Sequence, residues 1–143
     1  MFKAGYAKDM VQLLRDYWGG MLERGAVTFW EEYDPKQPKE TQYDMYGDRF
    51  GKSLCHAWAA SPVYFLAKYV AGLESLAPGG TRFRVEPHTE LIPRIDCTLP
   101  LGEGCVHIVW DESFVQVETD CEGGVLRMNG CETEICGTIC THI

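Results

Sequence analysis

The sequence is short of positive charge and of long apolar runs. Lys and Arg number 13 against 21 Asp and Glu, for a formal net charge of −8, and no Lys/Arg-rich run occurs. Such a surface repels phosphate backbones and anionic lipid, so neither nucleic acid nor a membrane is expected as a partner. No apolar stretch approaches the roughly 20 residues that span a bilayer. The opening Met1-Phe2-Lys3-Ala4-Gly5-Tyr6 lacks the regions of a secretion signal; with Met1 as the start, a cytoplasmic location is expected. Internal repeats and low-complexity segments are also missing. The seven cysteines include no paired C-x-x-C knuckle, and their odd count leaves at least one unable to pair within the chain. Reduced thiols are the simpler expectation. The tail spacing Cys131-x4-Cys136-x3-Cys140, with Cys121 and His142 nearby, is the one arrangement that invites zinc, but no metal is expected.

What is present is a globular composition, 45% hydrophobic over 143 residues, enough for one ordinary domain or two small ones. Phe2, Tyr6, Met10, Leu13, Leu14, Tyr17, Trp18 and Met21 recur at three- and four-residue steps, which predicts an amphipathic helix stopped or kinked at Gly19-Gly20. A further break follows at Gly25. Residues 35–52 are polar and without steady periodicity, as in a long surface loop of the kind that often carries function. A second helical stretch is predicted from about Ser53, able to cap its start, to Gly72, with Ser61-Pro62 a possible kink or restart. Beyond Leu73 the pattern changes to period two. Strands are predicted over 82–86, 91–95, 105–110, 114–119 and 125–128, with one more in 131–143.

The fold class expected is therefore α+β, with helices over 1–72 and an antiparallel β-sandwich over 73–143. A helical piece of about 70 residues is marginal as an independent core, and its aromatic faces call for covering. Self-association through those faces is one expected way to cover them.

The densest chemistry lies in Thr28-Phe29-Trp30-Glu31-Glu32-Tyr33-Asp34, where carboxylates sit against aromatic rings. Sugars need this combination, because pyranose C–H faces stack on rings and a carboxylate can serve as acid or base. Equally, Trp30 and Tyr33 could be core and the acids solvated or paired with Lys36 or Lys39. A second constellation is Ser53-Leu54-Cys55-His56-Ala57-Trp58. Adjacent helical positions point about 100° apart, so Cys55 and His56 do not form a nucleophile and base.

The ordered set Gly25-Ala26-Val27-Thr28-Phe29-Trp30-Glu31, Ser53-Leu54-Cys55-His56-Ala57-Trp58, Gly79 and Arg82-Phe83-Arg84-Val85-Glu86-Pro87 resembles the C-terminal portion of glycoside hydrolase family 78, the α-L-rhamnosidases. The resemblance covers roughly residues 1–118 and leaves the Cys-rich tail outside. It implies that the helices are the last part of an (α/α)6 barrel followed by a β-sandwich. It also implies that Glu31, or Glu32 if the register is off by one, is the general base of an inverting glycosidase. Trp30 and His56 would contact the sugar, the ligand would be a rhamnoside or related carbohydrate, and no cofactor is implied. Val27 departs from the small or hydroxyl residue expected before the Thr-aromatic-Trp run. The larger departure is that no segment matches the family's upstream acidic motif. An inverting enzyme needs a second carboxyl group, so the isolated chain is expected to be nearly inactive. The alternative is a non-catalytic carbohydrate-binding or structural module using sandwich aromatics such as Trp110 and Phe114.

Overall fold

The three- and four-residue spacing of the first apolar residues does produce a helix, starting and ending later than the pattern suggests. In the computed structural model, which describes residues 2–143, α1 (Ala7–Leu14) continues through a π-helical turn (Arg15–Gly19) into α2 (Gly20–Glu23). Of the expected stop or kink at Gly19-Gly20, the stop is corrected, since both glycines hold helical φ near −60°; the irregularity there is the π-helical turn that ends at Gly19. Gly20 has a packing reason for its missing side chain. A Cβ there would lie 2.5 Å from the Tyr33 ring. The helix ends at Gly25 instead, where φ of 90° lets the Ala26 N–H donate to Met21 O (3.0 Å) and the Gly25 N–H to Leu22 O (2.9 Å). That double closure is a Schellman motif, and it needs a left-handed residue after the last helical turn.

Two compact units are formed, 1–63 and 64–143. In the first, Met21, Ala26 and Trp30 are buried together, with Tyr17, Trp18, Tyr33 and Tyr43 packed against them. Edge-to-face contacts order these rings, Tyr17 on Trp18 at 4.9 Å and Trp30 on Tyr43 at 5.5 Å between centroids. The Trp18 indole N–H donates to Ala59 O at 2.7 Å. The second helical stretch begins as a 3-10 turn at Ala57–Ala60 and becomes α3 (Ser61–Phe65). The expected start at Ser53 fails because the backbone of residues 53–56 is engaged by residues 28–31, as described below. Ser61-Pro62 opens α3, which leads through a π-helical turn (Leu66–Val70) to Gly72 at φ 77°.

The second unit holds two four-stranded sheets. One is ordered β1-β2-β6-β7 and the other β3-β4-β5-β8, from β1 (Leu73–Ser75), β2 (Phe83–Val85), β3 (Ile95–Leu101), β4 (Gly104–Trp110), β5 (Phe114–Thr119), β6 (Gly124–Met128), β7 (Cys131–Ile135) and β8 (Thr138–His142). Alternate residues point inward, and Phe83, Val85, Val106, Ile108, Trp110, Val115 and Val117 are fully buried. The expectation of purely antiparallel pairing is corrected at one place: β2 and β6 run parallel, Phe83 opposite Gly124 and Val85 opposite Leu126. The strand expected over 91–95 is a turn, closed by the Leu91 N–H on His88 O. The strand begins at Ile95 and carries Pro100, tolerated because β3 lies at its sheet's edge and a ring nitrogen without a proton costs no ladder bond there. The tail forms two strands rather than one, β7 and β8, divided at Gly137 and belonging to different sheets.

An ion-pair ladder crosses the first sheet. Arg84 meets Glu74 at 2.7 Å and Glu86 at 3.6 Å, Arg127 meets Glu86 at 3.7 Å, and Lys68 meets Glu74 at 3.8 Å. All seven cysteines are free thiols. Among the described residues no group of three or more His, Cys, Asp or Glu side chains is placed to hold a metal ion. Among the described residues no helix is long and apolar enough to cross a membrane.

The two neighbouring helical glycines separate packing from propensity. Gly20→Ala is expected to destabilise the chain by about 1–3 kcal/mol through overpacking against Tyr33. Gly19→Ala, which meets no atom within 4 Å, is expected to stabilise it by about 0.5–1 kcal/mol from helix propensity. Urea denaturation of both variants checks the contrast, and equal effects would remove the packing explanation for Gly20.

Candidate functional site

Residues 28–31 and 53–56 are laced together by backbone and side chain. The His56 N–H donates to Phe29 O at 2.8 Å, the Glu31 N–H to Ser53 O at 2.9 Å, and the Thr28 hydroxyl to Leu54 O. The two motifs, well separated in sequence, are thereby brought side by side. The first supplies Glu31 and the second His56, both half-buried, together with the exposed Cys55 thiol.

Glu31 is held at both oxygens. The Tyr46 hydroxyl donates to Oε1 at 2.5 Å and the Ser53 N–H to Oε2 at 3.2 Å. These two bonds, with lesser help from the His56 and Lys52 charges, hold its carboxyl below the usual carboxylate range, outweighing the opposing effect of desolvation. The Tyr46 phenol is pushed up in turn, mainly because it donates to that carboxylate. Glu32, the neighbouring carboxylate, points to solvent.

The 35–52 segment is an organised loop. Arg24 donates to Gln37 O (2.7 Å) and Pro35 O (3.0 Å) and lies over the Tyr33 ring. Lys52, only 6% exposed, donates to Gln42 O (2.7 Å) and to Gln37 Oε1 (3.0 Å). Two cations thus satisfy the polar groups that a helix or sheet would otherwise pair. Within this loop Met45 and Asp48 exchange backbone hydrogen bonds around Tyr46-Gly47.

Trp30, one position before Glu31, is 3% exposed and belongs to the aromatic core. His56 stands ahead of the Ala57–Ala60 turn with extended backbone, φ −114°. Trp58, two residues on, is 91% exposed. Sequence reasoning missed Tyr46 and Lys52 as parts of the site, because a loop without periodicity does not reveal which distant residues its side chains meet, and it read Ser53 as a helix cap and not as a donor to Glu31. In the second unit Trp110 is fully buried and its indole N–H donates to Ile92 O at 2.9 Å, so it offers no face to a glycan.

No protein-family model matches the chain, and no curated protein matches it in sequence. Among solved structures, the GH78 family rhamnosidase of Bacillus sp. GL1 matches 90% of the chain with a TM-score of 0.67 and 28% sequence identity. The chain resembles part of a GH78 rhamnosidase. It spans 14% of that rhamnosidase's length. The GH78 likeness carries sequence as well as shape, since identity of that size accompanies the structural superposition over most of the chain.

Because folded Glu31 binds its proton less readily than an unfolded carboxyl, its stabilising contribution is complete above the ordinary carboxylate pKa. It is lost as pH falls through the lowered folded value. Glu31→Gln is therefore expected to flatten part of the acid limb of stability while leaving the neutral-to-alkaline side parallel to the parent. Urea midpoints collected from neutral pH down to about pH 3 test this; parallel curves throughout would contradict the observed hydrogen bonding.

Proposed function

We propose that Glu31 is the water-activating base of an inverting hydrolysis of terminal α-L-rhamnosides, performed by a longer protein to which this chain contributes a C-terminal part. The observation that carries the reading is the double acceptance at Glu31. A general acid must hold a proton at working pH, whereas a base must not. A carboxylate receiving a donor on each oxygen stays ionised, and each oxygen keeps a further lone pair for water. Glu32 lacks that environment and serves only as the fallback. The likeness to a GH78 rhamnosidase supplies the substrate class.

In this reading Glu31 accepts a proton from water as the water oxygen attacks the anomeric carbon. A second carboxyl group, roughly 6.5–9.5 Å away on the other side of the bond, protonates the departing oxygen as the old C–O bond breaks. That acid comes from residues outside this chain. His56 contacts the sugar beside Glu31, and Trp30 acts by holding the Glu31 backbone. The helices of residues 1–72 form the last part of an (α/α)6 barrel, and the two sheets of residues 73–143 pack as a β-sandwich. Exposed apolar residues including Leu22, Val27 and Trp58 favour a covered face, and the chain alone covers it by self-association.

Glu31→Gln in the active polypeptide is expected to lower kcat on an aryl α-L-rhamnoside by roughly 10²–10⁴-fold, with the anomeric configuration of the first product inverted by NMR. Unchanged turnover would remove Glu31 from the role. The 143 residues alone are expected to show next to no turnover; hydrolysis by them that Glu31→Gln abolishes would overturn the requirement for an outside acid. Light scattering across a concentration series is expected to show association, and a constant monomer mass would contradict the covered-face proposal.

A further inference from the structure

Tyr46 occupies a backbone position that its side chain makes costly. Tyr46 and Gly47 both have positive φ, 54° and 79°, between Met45 and Asp48, whose N–H groups donate to each other's carbonyls at 3.0 and 2.9 Å. That is a two-residue hairpin of the reversed type I′ geometry, for which Asn, Asp or Gly is favoured at the first central position. A bulky aromatic in left-handed conformation is uncommon, and such strain persists where the surroundings or a function select it. The residue is 78% exposed, so core burial does not explain it. What the phenol does reach is Glu31 Oε1, at 2.5 Å.

We propose that Tyr46 is a positioning residue: the reversed turn at Tyr46-Gly47 aims its phenol at Glu31 Oε1, fixing the carboxylate plane so that its remaining lone pairs face the attacking water. The proposal rests on Glu31 being the water-activating base. Two donors converge on the carboxylate from different segments, and a third residue steadies the loop between them. Ser53 fixes Oε2 through its N–H, Tyr46 fixes Oε1, and Lys52, tied to Gln37 and Gln42, holds the C-terminal end of the loop that bears Tyr46. Without the phenol, rotation about the terminal torsion of Glu31 is opposed on one side only.

The test uses the 143-residue chain and two variants, Tyr46→Phe and Tyr46→Asn, with the Glu31 carboxyl followed by carbon-13 NMR across pH. Both variants are expected to move the Glu31 titration upward. Tyr46→Asn is also expected to match or exceed the parent's thermal midpoint, since Asn suits the turn and keeps the hairpin even if Phe does not. A lowered midpoint with an unmoved Glu31 titration would make Tyr46 merely structural and overturn the proposal. In the active polypeptide, Tyr46→Phe is expected to lower kcat roughly 10- to 100-fold with little change in KM, and an unchanged kcat would likewise overturn it. Failure of the base assignment is read separately: Glu31→Gln would then leave turnover intact while the Tyr46 variants still shifted the Glu31 titration.

Discussion

The antiparallel lacing of residues 28–31 with residues 53–56 is the constraint on which the first unit depends. Three hydrogen bonds, from Thr28, Glu31 and His56, close a loop of about twenty residues, and loop closure of that length is opposed mainly by chain entropy. Opposing that entropy are the buried Lys52, the Arg24 side chain with its two carbonyl partners, and the ring of Trp30 against Tyr43. The lacing also determines where the second helix starts. Ser53 is a reasonable helix cap by composition, but its N–H is directed to Glu31 and its carbonyl receives the Glu31 N–H, so helical turns begin only at Ala57.

A carboxylate in this setting is defined by its donors more than by its burial. Glu31 is half-buried, and desolvation alone would raise its pKa; hydrogen bonding outweighs it. The charge state that follows bears on chemistry, because it separates a base from an acid without reference to any substrate. In the proposed reading, the likeness to a rhamnosidase suggests a substrate class, and the donors on Glu31 suggest a direction of proton transfer. Fold by itself does not assign function, and the hydrogen bonds on Glu31 do not depend on that likeness.

Legibility from sequence tracked the strength of local pattern. The first helix was visible in its apolar repeat, and β4 and β5 in their alternation, because Val106, Ile108, Trp110, Val115 and Val117 all face one interior. β1, three residues long, carries too little pattern to be seen. β3 was hidden by Pro100, which counts against a strand unless the strand is known to lie at an edge. The Gly19-Gly20 pair misled for a related reason: glycine signals a break when only the local chain is considered, yet Gly20 is required by a tyrosine thirteen residues away. In the site, Glu31 and His56 stood out by residue type and by motif, whereas Tyr46 and Lys52 looked like ordinary loop residues.

The sequence by itself determined the helix-then-strand order, the acidic balance of charge, and the placing of a carboxylate pair, Glu31-Glu32, among aromatics. Those properties follow from composition and short-range periodicity, which act between residues a few positions apart. Tertiary structure alone decided that Trp30 is core, that β2 and β6 run parallel, and that Glu31 rather than Glu32 receives both donors. Each of these depends on partners distant in the chain, and hydrogen-bond geometry between distant segments is set by packing, which no local pattern encodes.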